Sequence, residues 1–480
     1  MKKIVEKLTP FIKGSPVLKL IEGDFTYELI DNETGEIYGF VTLNDGKFVN
    51  YEINATEDFE EIEMEKNAHP PSIDKILEVA QSFVDSFIEA DVHFSMLNEW
   101  NSNHFMVTYE ERDPKLGILI PHTGCTLHFT KDGLLTNANI GTTDFTLEYP
   151  EVIVTSDEAK SLLRKSNYVQ LSFTVNGLHE EEMIDPNVDL VYRSNHNIMG
   201  VDVNGKLDFA TDFIGIDDRP VDKLQPIPVT TSLEELLGIE SYMEKKAGEE
   251  ETSIWVDSSL PFDEENPEPL LTLSSNDTWY YFTSFLPYTE QEGAQKLSLE
   301  TLTNKACELV ELLEGNIHSK FVLEKPIVEE EEIEEHFDEE DIEDEFMNDD
   351  MFPLYEPTQS FTFYRVHGDI IVELIEAHVQ VGLYTGLIKE CSVTKLPAEQ
   401  EVKLQELLDK KRISIEEAEE FYFQDLEMKL ARTVKCYDNP AIYTLAYLVD
   451  FPKTSAHIER INALTGEVSY VETGILKEGN

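Results

Sequence analysis

Residue types that could do chemistry occur along this chain, but their spacing fails each motif in turn. Gly200-Val201-Asp202-Val203-Asn204-Gly205-Lys206-Leu207 has the GxxxxGK spacing of a phosphate-binding loop. Such a loop needs Ser or Thr after the lysine to hold Mg²⁺, and it leads into a helix. Here Leu207 follows, Asp202 repels phosphate, and the context is strand-turn-strand, so the reading is a plain hairpin. His179-Glu180-Glu181-Glu182-Met183 opens like a zinc-protease helix. The second histidine one turn later is missing, and with it the metal face. No GxSxG elbow occurs. Counting back to the start of a calcium loop from Gly46, Gly133 and Gly205 gives Val41, His128 and Gly200, none of them the required aspartate. His122, Cys125 and His128 are the densest group of soft ligands. On a strand the two histidines share one face and Cys125 points to the other. Paired carboxylates are everywhere in so acidic a chain, so they say little about acid–base work. The residues therefore assign no catalytic group, no cofactor-binding group and no metal ligand, and no cofactor is expected.

The elements that would position a site are easier to read. An alternating apolar run leads into a Gly turn and a second run leads out at Tyr27–Ile37, His378–Ile388 and His457–Val468. Looser copies turn at Asp132-Gly133 and Asn204-Gly205. Gly takes the positive φ of such turns without a Cβ clash. Amphipathic helices precede four of these hairpins. The spacing of Ile73, Ile76, Leu77, Ala80, Phe83, Val84 and Phe87 predicts a helix near 72–88. Further helices are predicted near 156–166, 298–313 and 414–430. Thr155 with Glu158, Ser232 with Glu235, and Ser414 with Glu417 have the spacing of capping boxes. A helix stripe and the inner face of a small sheet can bury each other, so the predicted fold class is α+β. It consists of tandem units, each an antiparallel sheet with one helix packed across a face. The organisation reads as a degenerate N-terminal unit at 1–55, two units at 56–213, a connecting region at 214–297 with some strand content near Ile254–Val256, and two units at 298–480.

Composition limits the partners. The chain has 480 residues, 41% hydrophobic and 10% aromatic, enough for real cores. Its 97 acidic and 37 basic residues give a net charge of −60, which repels nucleic acid and anionic membranes. Residues 329–350 form an insert in which fifteen of 22 residues are acidic and none is Lys or Arg. Self-repulsion is expected to keep it loose. It is the candidate contact for a basic protein or, weakly, for divalent cations. Ile333, Phe337, Ile342 and Phe346 within it could make an amphipathic helix on meeting a partner. The N-terminus lacks the apolar core of a secretory signal, and no stretch approaches the ~20 apolar residues of a membrane span. Cys125, Cys307, Cys391 and Cys436 lie far apart with no CxxC, which fits a reducing, cytoplasmic setting.

From about Ser298 to Gly474 the chain resembles the YcdB/YcdC repeat proteins, which are related to the PepSY domain. The residues that carry the resemblance are Phe361-Thr362-Phe363-Tyr364-Arg365-Val366-His367-Gly368, the following Ile370–Ile375 strand, Thr385-Gly386-Leu387-Ile388, Ser414-Ile415-Glu416-Glu417-Ala418, and Ile461–Val468. Residues 72–213 fit more loosely. The resemblance implies PepSY-like units in tandem and brings no catalytic residues. PepSY relatives include inhibitory pro-segments of secreted peptidases; the missing export signal and the acidic insert set this chain apart from them. The function expected is a non-enzymatic protein-interaction module. An enzyme with a site assembled between units, and an acidic binder of cations or basic proteins, remain the alternatives.

Overall fold

The computed structural model describes all residues except 13–16, 24–25, 45, 55–72, 101–103, 131–132, 142–143, 178–186, 216–218, 249–251, 262–267, 289–293, 328–354, 454–455, 473–475 and 478–480. His179–Met183 and the acidic insert lie outside the described residues.

Helices form at Ile73–Phe87, Ser156–Lys165, Leu299–Glu314 and Ile415–Asp425, where the apolar stripes place them. The first buries Ile76, Ala80, Phe83 and Val84, one face of the helix. All three capping boxes are made: the side chains of Thr155, Ser232 and Ser414 accept from the amides of Glu158, Glu235 and Glu417, whose carboxylates reach back. The last of these helices stops at Asp425; Leu426 is already extended. A further helix, Ala398–Lys410, has no clear stripe to announce it. Leu404 and the polar Gln400 are its buried residues, while Val402 is exposed.

The strands of the N-terminal part are β1 (Leu18–Glu22), β2 (Tyr27–Asp31), β3 (Ile37–Asn44), β4 (Lys47–Ile53), β5 (Val92–Trp100), β6 (His104–Arg112), β7 (Leu119–Thr130) and β8 (Leu135–Ile140). A short β9 (Thr146–Leu147) leads to β10 (Val169–Asn176), β11 (Asn187–Ser194), β12 (Ile198–Asp202), β13 (Leu207–Phe209) and β14 (Val221–Lys223). The middle of the chain holds β15 (Met243–Ala247), β16 (Thr252–Asp257), β17 (Leu271–Ser275), β18 (Trp279–Ser284), β19 (Phe321–Glu324), β20 (Thr358–His367), β21 (Ile370–Gly382) and β22 (Ile388–Thr394). The C-terminal part adds β23 (Glu427–Val434), β24 (Ile442–Asp450), β25 (Ala456–Asn462), β26 (Val468–Glu472) and β27 (Leu476–Lys477).

Among the described residues these strands make three sheets, and the fold is α+β. One runs β1-β2-β3-β4-β8-β7-β6-β5-β27. The largest runs β15-β16-β17-β18-β22-β21-β10-β11-β25-β26, with β20, β19 and β14 branching from β21. The smallest runs β13-β12-β24-β23, with β9 beside β24. Pairing is antiparallel except at β10–β21 and β9–β24. Residues 243–284 thus contribute four strands to the largest sheet. Ile254, Trp255 and Val256 are all buried, so β16 shows no alternation in the sequence. No helix among the described residues is long and apolar enough to cross a membrane.

Three cores result. The 73–87 helix packs on the first sheet in a core drawn from residues 5–140. The 299–314 helix packs on β20–β22 in a core drawn from residues 236–393. The third core joins distant segments: Ala159, Leu163 and Phe173 share it with Ala418, Tyr422 and Ile461, and Val372 and Ile375 of β21 add to it. Here the segments interleave. Strand β11 pairs with β25, whereas β12 pairs with β24. The 156–165 helix lies by β23, with Ser156 Oγ donating to the Met428 carbonyl (2.6 Å) and Lys160 Nζ to the Leu426 carbonyl (2.6 Å). In return Tyr422 of the 415–425 helix donates to the Tyr192 carbonyl (3.4 Å).

One turn recurs with the same bonds. In Asp31–Gly35, Asp113–Gly117 and Asn462–Gly466 the fifth amide donates to the first carbonyl, and the first side chain accepts from the third and fourth amides. The closing glycines have φ of 78°, 70° and 78°. Gly382–Gly386 keeps the backbone pattern with glycine at the first position. The missing acceptor comes from elsewhere: Glu356 takes the amides of Tyr384 (2.8 Å) and Thr385 (2.7 Å) and the Thr385 hydroxyl (2.7 Å). A Cβ on Gly382 would stand 2.4 Å from that carboxylate, so the glycine makes room for it.

Candidate functional site

The two parts of the largest sheet are joined through one residue pair. Strand β10 pairs with β11 along its full length, but on its other side only Phe173 registers with a residue of β21, Val372. An open cleft of about 630 Å³ lies at this joint, lined in part by Ser172, Arg193, His196, Asp369, Glu373 and Lys411. Strand β21, which lines it with Ile370, Ile371 and Glu373, is distorted. Leu374 has φ of 64° and is exposed, and it lies within the stretch between Ile371 and Glu376 where the β20–β21 register slips. A branched residue in the left-handed region is strained. The kink lets Val372 and Ile375 both turn inward, three positions apart rather than two, while Glu373 faces the cleft.

The polar groups of the cleft are committed to one another. Glu373 accepts from Ser172 Oγ on one oxygen and pairs with Arg193 Nη1 on the other. Arg193 Nη2 also lies 2.8 Å from His196 Nδ1. Burial, and then the Arg193 charge, lower the pKa of His196, so its imidazole is neutral at pH 7. Asp369 is paired with Lys223 at 2.8 Å, and Lys411 Nζ reaches the Tyr192 hydroxyl at 3.4 Å. Ser172 gives its proton to a carboxylate already held by a guanidinium, which is the arrangement of a rigid polar surface rather than of an activated nucleophile.

A second cleft, of about 440 Å³, separates the first sheet from the smallest one. Glu110 lines it, with its pKa raised by burial and partly restored by bonds from Ser95 and the His122 amide. Behind it lies a fully buried ion pair. Arg432 donates to Asp113 Oδ2 from Nε (2.8 Å) and Nη2 (2.6 Å), and stands 4.4 Å from the ring centroid of Tyr149. Tyr149 donates its hydroxyl to Asp113 Oδ1 at 3.1 Å. Burial pushes Asp113 up, but the Leu116 amide, Arg432 and the Lys115 amide outweigh it and hold the carboxyl below its usual range. Asp113 thus caps its own turn with one oxygen and docks the C-terminal part with the other. Nearby, Tyr443 donates to the Pro121 carbonyl at 2.7 Å.

The residues singled out in the sequence fall elsewhere. Gly200, Gly205 and Lys206 belong to the β12–β13 hairpin, and Lys206 pairs with Asp212 at 2.8 Å. A Cβ at Gly200 would meet the Tyr447 carbonyl oxygen at 2.4 Å, so that glycine serves strand packing. His122, with φ of 62°, lies where β7 bulges out between Ile120 and Cys125. Cys125 is buried and its thiol is pushed up to about 12 by that burial. His128 lies past the bulge, with its pKa lowered by burial and by His104. Among the described residues no group of three or more His, Cys, Asp or Glu side chains is placed to hold a metal ion. Reading along the sequence missed Ser172, Arg193 and Glu373, because strands distant in the chain bring them together. The only local signal was charge at strand positions. It also missed the turn at Asp113, whose Asp-to-Gly spacing matches that of Asp31.

No family model matches this chain, and no curated protein matches it. Among solved structures, the C-terminal domain of Bacillus megaterium YpeB is similar with a TM-score of 0.27 and 12% identity, over 43% of this chain and 93% of that one.

Proposed function

We propose that this chain is a non-enzymatic module that acts by protein contact, built from units of the YcdB/YcdC, PepSY-like kind and working in a reducing compartment. The observation that supports it is the state of the junction cleft. Each oxygen of Glu373 is engaged, one by Ser172 and one by Arg193, so the groups best placed for catalysis instead stiffen a surface between units. Three of the four cysteines are buried and all are free, as a reducing setting allows. The test is affinity capture with the full chain, and with residues 329–350 replaced by a short Gly/Ser linker. A stoichiometric partner retained by both forms supports contact through the folded units. A partner lost with the insert moves the contact to the acidic run.

A second reading, an enzyme working at the junction, is favoured by the strained Leu374 beside Glu373 and by the neutral His196. Turnover against a panel of ester, amide and phosphoester substrates that is abolished by Glu373→Gln, with no partner captured, would replace the first reading by this one.

A further inference from the structure

We propose that the outer edge of β26 receives one strand from a basic protein, an inference that rests on the protein-contact reading above. A sheet edge offers unpaired backbone groups, and edges that are meant to stay free carry charged residues, especially lysine. The exposed edges here differ in this respect. Strand β1 carries Lys19, β14 carries Lys223, β15 carries Lys245 and Lys246, and β23 carries Lys429, while β13, without lysine, is only three residues long and offers little edge. Strand β26 reads Val-Ser-Tyr-Val-Glu and has no lysine, arginine or proline. It ends the largest sheet: β25 covers one side, and among the described residues no strand pairs with the other. Tyr470 and Val471 are 48% and 46% exposed, on opposite faces of the strand. An added strand would cover both.

Charge selects the occupant. Two copies of a chain carrying −60 repel, which disfavours edge-to-edge pairing of this strand with itself. Glu459 and Glu467, on the same β25–β26 hairpin, are exposed, while Arg460 of that hairpin is drawn to Asn176 at 3.4 Å. The edge thus presents apolar side chains and unpaired backbone in a negative field. Main-chain bonds would supply affinity, alternate side chains would meet Tyr470 and Val471, and lysines or arginines on the partner would steer the approach.

The test uses the full chain and labelled peptides in fluorescence anisotropy at about 0.15 M salt. The probe is Lys-Val-Lys-Val-Lys-Val-Lys. Its glutamate counterpart should bind at least about tenfold more weakly, and so should the lysine peptide to the Tyr470→Lys, Val471→Lys double variant. A lysine peptide N-methylated at every amide keeps its charge and loses the donors of both edges; its binding should vanish. That arm is independent of how the variant folds. Equal binding of the methylated peptide, unchanged binding to the double variant, or no binding of the lysine peptide overturns the proposal. So does a dimer of the unliganded chain in sedimentation that the double variant abolishes, since a second copy would then own the edge. If captured partners survive the double substitution, this inference fails while the protein-contact reading stands.

Discussion

The N-terminal helix and the two interleaved helices obey the same sequence pattern and reach different solutions. The 73–87 helix covers strands that flank it in the chain, and every buried side chain of its core lies between residues 5 and 140. The 156–165 helix is instead bonded to the strand that begins at Glu427, and the 415–425 helix to Tyr192. An apolar stripe states that a helix needs a face; it does not state whose. The difference also changes what holds the region together. The N-terminal part closes on itself locally, whereas residues 159–203 and 404–463 depend on a contact about half the chain away in sequence. Closing so long a loop adds little to the entropy cost beyond that of a moderate one, because the cost grows only logarithmically.

The largest expected effect comes from the bond between the two regions. Arg432→Ala leaves Asp113 buried with most of its counter-charge gone, and should cost about 3–5 kcal/mol in urea melts. A loss under about 1 kcal/mol would mean that the regions do not dock through this pair. Next come the cores themselves. Phe83→Ala and Leu163→Ala each empty a fully buried site and should cost about 2–5 kcal/mol, as should Leu309→Ala in the central core. Hydrogen exchange then separates the regions. Phe83→Ala should speed exchange in β2–β8 alone, while Leu163→Ala should speed it both in β10–β12 and in β23–β25. If Leu163→Ala leaves β23–β25 untouched, the interleaved core is not one cooperative unit.

The turn at Gly382 gives a smaller effect. Glu356→Ala removes an acceptor of three bonds and the partner of Lys389, and should cost about 1–3 kcal/mol. Burial opposes the charge of Glu356, but Lys389, Thr385 and the Tyr384 amide hold its pKa below the ordinary value. The same direction applies to Asp113. A carboxyl lowered by folding stabilises the native state above its unfolded pKa of about 4, and that contribution is lost as pH falls below it. The acid limb of the stability curve should therefore flatten in the Glu356→Ala, Asp113→Asn double variant; an unchanged limb would place acid sensitivity elsewhere. The smallest effect is expected of the acidic insert. Its flanks are pinned near each other, Ile327 by a bond from Gln359 Nε2 (2.8 Å) and Glu356 at its turn. Replacing 329–350 by a Gly/Ser linker should leave the fold intact and raise stability slightly at low salt, by less than about 0.5 kcal/mol. Unfolding of the C-terminal half would make the insert structural.

Local features were legible because their causes are local. Helix stripes, three capping boxes and the Gly turns each depend on residues within a few positions, and the structure has them at those positions. The Ala398–Lys410 helix escaped because its inward face carries Gln400, which accepts from the Val188 amide across the core at 3.3 Å. Of the strands of 243–284 only strand content near Ile254–Val256 was legible; there the burial of three successive residues erases alternation, and the largely exposed β15 has no apolar face to show. The junction cleft was not legible at all. Ser172 and Glu373 are about two hundred positions apart, and nothing in either stretch names the other.

The turn completed by Glu356 has a consequence for how this chain can change over time. In the other copies one residue both starts the turn and caps it, so each can drift alone. At Gly382 the two duties are split between positions 26 apart, and the volume of one is the vacancy required by the other. These positions are bound to vary as a pair. A relative with aspartate or asparagine at the place of Gly382 should have lost the glutamate at 356, and a relative that keeps the glutamate should keep the glycine.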